Sequence, residues 1–291
     1  MMTSRRKFLT QAGMMGTSLM FAPGLLSAKA PTKTGLQLYT LRDQLPKDVK
    51  AVIANVAKAG CQEVETFGYN AENGFWGLNV ADFKKLLQQH NLTTPSGHYG
   101  MDKLLAHGEM QEVEIAITTA KTLGQQYVTI PYIDQNIRKT ASDIKNIVKN
   151  ISLAAERINK AGLITAYHNH NFEFEVVDGV MLYDVLLKET NPAMLHMEMD
   201  LYWVVRAGQD PLKWFAKYPG RFAIVHVKDM DKREPQLNTE IGKGSIDFKA
   251  IFSKAKLAGI KHYIIEQENF KIDPYASITE SNKYLRKLLL A

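Results

Sequence analysis

The sequence predicts an α/β fold, a single-domain (β/α)8 barrel, on three observations. Eight short apolar runs of strand type alternate with longer runs of helical periodicity. The alternation takes up about 260 of the 291 residues, the size of one closed barrel. The turn after the first run reads Tyr39-Thr40-Leu41-Arg42-Asp43, without the glycine-rich phosphate fingerprint that an open, doubly wound sheet would carry there.

Taken in order, Gly35 to Thr40 reads as strand 1, and Val49, Val52, Ile53 and Val56 then share one helical face until Ala59-Gly60. Strand 2 is Glu63 to Phe67, followed by a loop rich in glycine, asparagine and aromatics and by the helix of Val80, Phe83, Leu86 and Leu87. Strand 3 is Thr93 to His98, and its helix carries Val113, Ala116, Ile117 and Ala120. Strand 4 is Tyr127 to Pro131, and the stripe Ile144, Ile147, Val148, Ile151, Ala155 and Ile158 closes at Ala161-Gly162. Strand 5 is Leu163 to His168, strand 6 Met194 to Asp200, strand 7 Phe222 to Val227 and strand 8 Tyr263 to Glu266. Helices are expected near residues 180–190, 210–218, 247–259 and 275–289.

Ahead of the barrel, residues 1–30 read as a cleavable twin-arginine export signal. Ser4-Arg5-Arg6-Lys7-Phe8-Leu9 precedes an apolar stretch from Ala12 to Leu26 and then Ala28-Lys29-Ala30, with cleavage expected near residues 28–33. The stretch is short and broken by Pro23-Gly24, so it makes a poor membrane span. The expected mature chain is 31–291, periplasmic and free of the membrane. Losing Arg5, Arg6, Lys7 and Lys29 leaves 32 basic against 30 acidic residues, so the formal charge falls from +6 to +2. That balance argues against nucleic acid as a partner. Cys61 is the single cysteine, which excludes an intrachain disulfide.

Four of the strands end in metal-ligating chemistry. The stretch Ala166 to Glu175, AYHNHNFEFE, holds two histidines and two glutamates, while strands 6, 7 and 8 close on Asp200, His226 and Glu266. Carboxylates and an imidazole closing separate strands point to one divalent metal ion with room for a substrate. The period of two supports it: Ile224, His226 and Lys228 share a face of strand 7, as do His196, Glu198 and Asp200 in strand 6 and Ile264, Glu266 and Glu268 in strand 8. His196 and Glu198 are expected deeper in the barrel, where they need partners of their own.

The segments AYHNHNFEFE, EMDLYWVVRAG, VHVKDM, GKGSIDF at Gly242 to Phe248 and YIIEQE, in this order and spacing, resemble the sugar phosphate isomerase/epimerase family. These are xylose-isomerase-like TIM barrels that include tagatose epimerases and inosose dehydratases. The resemblance implies one divalent ion (Mn, Zn, Mg or Co) held by Glu173, Asp200, His226 and Glu266, with Glu175 and Glu268 as the alternatives at the two ends. It also points to homo-oligomers, dimers or tetramers.

Glu173 and Glu266 are then the expected acid and base, acting on opposite sides of a carbohydrate through an enediolate. His98, His168, Lys228, Glu65, Trp76 and Trp203 are candidates for substrate contact, and His170 for either contact or packing. Return of the proton to the other face gives epimerisation, and return to the next carbon gives isomerisation. Loss of a β-hydroxyl or alkoxide gives dehydration or lyase chemistry on a keto-sugar or 3-keto glycoside. An exported protein without an arginine cluster in its second and third loops points away from a phosphorylated substrate. Two other readings stay open: a non-catalytic sugar-binding barrel, and a metal-dependent nuclease for abasic DNA, against which the charge argues.

Overall fold

A computed structural model describes residues 33–290. Residues 1–30, the expected export signal, lie outside the described residues. Eight parallel strands form one sheet: β1 (Thr34–Gln37), β2 (Glu63–Glu65), β3 (Ser96–His98), β4 (Tyr127–Ile130), β5 (Ile164–His168), β6 (Leu195–Asp200), β7 (Phe222–Val227) and β8 (His262–Ile265). Their order is β2-β1-β8-β7-β6-β5-β4-β3. The two ends of that list meet through the bridges Glu63 to Thr93 and Thr66 to Gly97, so the sheet curls into a nearly closed barrel. The arrangement is that of a (β/α)8 barrel.

The helices cover the outside because each buries one stripe. The longest, Ala141–Lys160, starts in a capping box, with Thr140 and Asp143 exchanging side-chain and backbone hydrogen bonds, and buries Ile144, Ile147, Val148, Ile151 and Ile158. Strand β7, Phe-Ala-Ile-Val-His-Val, is buried on both faces, as a parallel strand between helices and barrel interior must be. Inside the barrel, Tyr127, Ala166, Ile224 and Ile264 make a small apolar layer of their own. Toward the carboxyl ends of the strands come the buried polar side chains of Glu65, Glu198, Asp200, His226 and Glu266.

Two chain turns there depart from simple strand extension. After β1 the chain winds into a 3-10 turn, Leu38–Leu41, and after β5 it does so again at Phe172–Phe174. The loop after β7 is tied down by Asp229, whose buried carboxylate accepts from the backbone N–H groups of Met230 (2.9 Å), Gly242 (2.8 Å), Gly244 (3.0 Å) and Ile246 (3.1 Å). A Cβ on Gly244 would lie 2.2 Å from that carboxylate, so the glycine of GKGSIDF is required by the anchor.

Candidate metal centre

Strands β5, β6, β7 and β8 bring His168, Asp200, His226 and Glu266 together, with one donor atom from each lying within 4.8 Å of all the others. The register pairs Asp200 directly with His226. His168 Nε2 is 3.6 Å from Asp200 Oδ2, and His226 Nδ1 is 3.9 Å from Asp200 Oδ2 and 3.3 Å from Glu266 Oε2. Donors around an ion at 2.0–2.2 Å in tetrahedral geometry lie about 3.4 Å apart, so the 3.6 and 3.9 Å separations suit a shared cation better than direct hydrogen bonds, while His226 Nδ1 and Glu266 Oε2 are also within hydrogen-bond distance. His168 Nε2 and Asp200 Oδ2 are buried and make no hydrogen bond. Buried polar atoms of this kind need a partner, and two carboxylates with two imidazoles fit a divalent ion. Asp200 is oriented by its other oxygen, which caps the helix Leu201–Arg206 through Trp203 N at 3.1 Å.

A second group lies against the first and shares His226. Glu65 Oε2 is 2.7 Å from His226 Nε2, and Glu198 Oε1 is 3.0 Å from the same nitrogen. His98 Nε2 is 2.6 Å from Glu198 Oε1 and 3.3 Å from Glu65 Oε2. Gln37 Nε2 donates to Glu65 Oε2 (2.8 Å), and Thr129 Oγ1 to Glu198 Oε2 (3.3 Å). These are ordinary hydrogen-bond lengths. Burial opposes charge on His98, yet the carboxylates of Glu65 and Glu198 prevail and push its imidazole up to about 10. Burial likewise opposes the Glu65 carboxylate, while His98 and His226 hold it well below the usual range.

Over the first group opens a cavity of about 500 Å³ lined by Tyr39, Phe67, His98, Tyr132, His170, Trp203 and Glu268, with His168 and Glu266 at its edge. An aromatic wall with a few converging polar groups is the pattern of a small-molecule site. A second cavity of about 320 Å³, around Thr93, Pro95 and Gln126 at the opposite mouth of the barrel, brings no such donors together.

The expected residues are sorted as follows. Asp200, His226 and Glu266 converge, and His168 takes the β5 place that had been given to Glu173. Glu173 sits in the 3-10 turn beyond β5, fully buried, with Tyr167 Oη donating to one oxygen and His170 N to the other, both at 2.8 Å. Burial outweighs those donors and pushes its carboxyl up to about 8. The structure does not bring Glu173 to the metal-type group or into the cavity, because the chain turns at Asn169 instead of continuing as a strand. Glu175 is exposed.

Glu268 lines the cavity and pairs with Lys228. Lys228 is wholly buried, 3.1 Å from Glu266 Oε2 and 3.8 Å from Asp200 Oδ2, so it faces carboxylates and not the open cavity. Glu65 also lies away from the cavity, in the inner group. Trp76 packs on Phe67, Phe75 and Phe83 and so backs the wall, whereas Trp203 is part of it. His98 lines the cavity and belongs to the inner group as well. Missed by the sequence were the wall residues Tyr39, Phe67 and Tyr132; each stands two positions beyond its strand, which is the signal that would have found them.

Comparison with known proteins agrees with this architecture. Residues 53–288 match the family model described as Xylose isomerase-like TIM barrel, and the chain belongs to that family. A solved sugar phosphate isomerase/epimerase from Parabacteroides distasonis ATCC 8503 is 29% identical, with a TM-score of 0.75 over 89% of this chain and 95% of that one. An inosose dehydratase from Geobacillus kaustophilus is 28% identical over 171 residues, 52% of this chain and 55% of the relative, so the match spans about half of each. A probable 3-DHS dehydratase from Bacillus anthracis, 14% identical, shares the fold with a TM-score of 0.68 over 87% of this chain and 98% of that one. The family and its neighbours include isomerases, epimerases and dehydratases. Among the described residues no helix is long and apolar enough to cross a membrane.

Proposed function

We propose that this chain is a divalent-metal-dependent sugar isomerase or epimerase acting on a ketose, cyclitol or related carbohydrate. The observation that carries the reading is the convergence of His168, Asp200, His226 and Glu266, with two unpartnered buried donor atoms, at an aromatic-walled cavity. These four residues would hold the ion. When bound, such an ion polarises a substrate carbonyl or hydroxyl oxygen and lowers the cost of removing the neighbouring carbon-bound proton.

The chain's own groups supply the proton transfer and the orientation. β8 lies across the barrel from β4, so the carboxylates of Glu266 and Glu268 face the imidazole of His170 just beyond β5, which burial holds well below the usual imidazole range and so free to accept a proton. Proton-accepting groups on two sides of one substrate are what epimerisation requires. Lys228 is held among Asp200, Glu266 and Glu268 and favours the ionised form of Glu266. Burial opposes the charge on Glu266, but the Lys228 ammonium and the His226 ring hold its carboxyl well below the usual range. Trp203 and Tyr132 offer faces for the apolar side of a sugar ring.

A second reading, a lyase or dehydratase on a keto-sugar or 3-keto glycoside, shares the first proton removal and is favoured by the curated relatives named inosose dehydratase. Residues 1–30 are proposed as a twin-arginine signal that delivers the barrel to the periplasm, to be checked by cell fractionation and by the N-terminus of the exported chain.

The test is elemental analysis of the full-length protein alongside Asp200→Ala and His226→Ala variants with intact circular dichroism. About one ion per wild-type chain, absent in both variants, is the expected result, followed by metal-dependent entry of solvent deuterium into ketoses or 3-keto glycosides. A wild-type chain that takes up neither Mn nor Zn would sink the proposal and leave a sugar-binding barrel in its place.

A further inference from the structure

We infer that Glu65 and Glu198 are positioning residues for His226, accepting the proton on its Nε2 so that Nδ1 is left as the lone pair offered to the ion. The inference rests on the reading of His168, Asp200, His226 and Glu266 as the ion-holding group.

The geometry divides the His226 ring in two. Nδ1 faces Asp200 at 3.9 Å and Glu266 at 3.3 Å, and Nε2 faces Glu65 at 2.7 Å and Glu198 at 3.0 Å. A neutral imidazole carries its proton on one nitrogen and its lone pair on the other, so whatever takes the proton decides which nitrogen is free to bind a cation. Two acceptors stand at Nε2, at 2.7 and 3.0 Å, against one at Nδ1, Glu266 at the longer 3.3 Å. Each is fixed in turn, Glu65 by Gln37 and His98, Glu198 by His98 and Thr129, with Ser96 holding Thr129 at 2.7 Å. The His98 ring stacks on that of His226 at 5.5 Å and 18°, which fixes the plane as well as the tautomer.

Packing alone does not call for this arrangement. Further into the barrel, the layer of Tyr127, Ala166, Ile224 and Ile264 fills the interior with apolar groups, and buried carboxylates are costly where such groups would serve. Neither glutamate lines the cavity, so neither is placed to touch a substrate. Carboxylates behind a ligating imidazole do have a known effect: they orient the ring and raise its basicity, and their removal costs about 10- to 100-fold in metal affinity. The alternative, a second ion within the inner group, meets separations of 2.6 and 2.7 Å, shorter than the roughly 3.4 Å between tetrahedral donors on one ion.

The experiment uses the full-length protein and Zn²⁺ alone, with two readouts. Zn²⁺ affinity is measured against a chromogenic chelator for wild type, Glu65→Gln and Glu198→Gln, each checked for an unchanged fold. The imidazole ¹⁵N pattern of His226 is recorded in the Zn²⁺-loaded wild type, which needs no variant to fold. The inference expects one ion per chain, a proton on Nε2 of His226, and affinities about 10- to 100-fold weaker in both variants. It is overturned by a proton on Nδ1, by variant affinities within twofold of wild type, or by two ions per wild-type chain with the second lost in the variants. The last two leave the ion-holding group standing, whereas a proton on Nδ1 also takes His226 out of that group. A wild-type chain that takes no Zn²⁺ overturns that group and the inference together.

Discussion

The two polar groups at the top of the barrel are built from the same residue types, share His226, and differ in how they are satisfied. In the inner group, Glu65, His98, Glu198 and the Nε2 side of His226 close on one another at 2.6–3.3 Å, with Gln37 and Thr129 completing the network. In the outer group, His168, Asp200 and the Nδ1 side of His226 stand 3.6–3.9 Å apart, His226 Nδ1 and Glu266 share one 3.3 Å hydrogen bond, and two of the donor atoms bond to nothing. Two sets of carboxylates and imidazoles can therefore be a finished salt-bridge network or an ion-holding group, and a few tenths of an ångström to an ångström in separation decides which.

The largest effect expected from this contrast is on the outer group. Asp200→Asn, which keeps the helix cap, should lower turnover about a thousandfold, on the several kcal/mol that a bound ion contributes to such chemistry. Turnover near wild type would break the contrast by making the outer group dispensable. Next comes the inner group's share of stability. Glu198→Ala leaves His98 and His226 buried beside an incomplete set of acceptors and should cost about 3–5 kcal/mol in urea unfolding of metal-free protein. A loss under about 1 kcal/mol would show that the network is not the stabilising one.

Glu173 sharpens the comparison as a carboxyl whose burial outweighs both its hydrogen-bond donors and the Arg138 guanidinium. Its folded-state value of about 8 lies above the unfolded range, so the fold favours the neutral acid. Its contribution is fully favourable below about pH 4.5 and is lost as pH rises toward 8, amounting to no more than a few kcal/mol. Wild-type stability should therefore fall more steeply between pH 5 and 8 than that of Glu173→Gln. Parallel curves would mean that Glu173 is ionised in the fold after all. The smallest expected effect is the stability loss of metal-free Asp200→Asn, about 1–2 kcal/mol, because Oδ2 has no hydrogen bond to lose and Lys228 keeps Glu266 and Glu268 as nearer charge partners. A large loss would place Asp200 with the inner group.

The legibility of the site followed the regularity of the backbone. β7 has the bounds read from the sequence, Phe222 to Val227, and Asp200, His226 and Glu266 converge because each stands at or next to the end of a strand, on the interior face its period of two sets. Reading failed where that period stops. Past His168 the chain turns and winds into a 3-10 helix, so Glu173 goes behind the strand and His168 stands in the group. Trp76 lies in a loop with φ of +49°, where no periodicity tells which way a ring points. Glu65 was legible as an interior residue but not as a partner of His226, since 161 positions separate the two.

What the sequence by itself determined is the set of eight strands, the outer helices and the polar residues that end up at the carboxyl ends. Alternation and helical periodicity are local properties that pairs of residues a few positions apart already encode. Only the tertiary structure decided how one pool of histidines and glutamates divides into a closed network and an open group. That division depends on distances across the barrel, from β2 and β3 to β6 and β7, and those are set when the sheet curls until β2 meets β3. The two nitrogens of His226 are identical in the sequence, and the closed barrel is what gives them different neighbours.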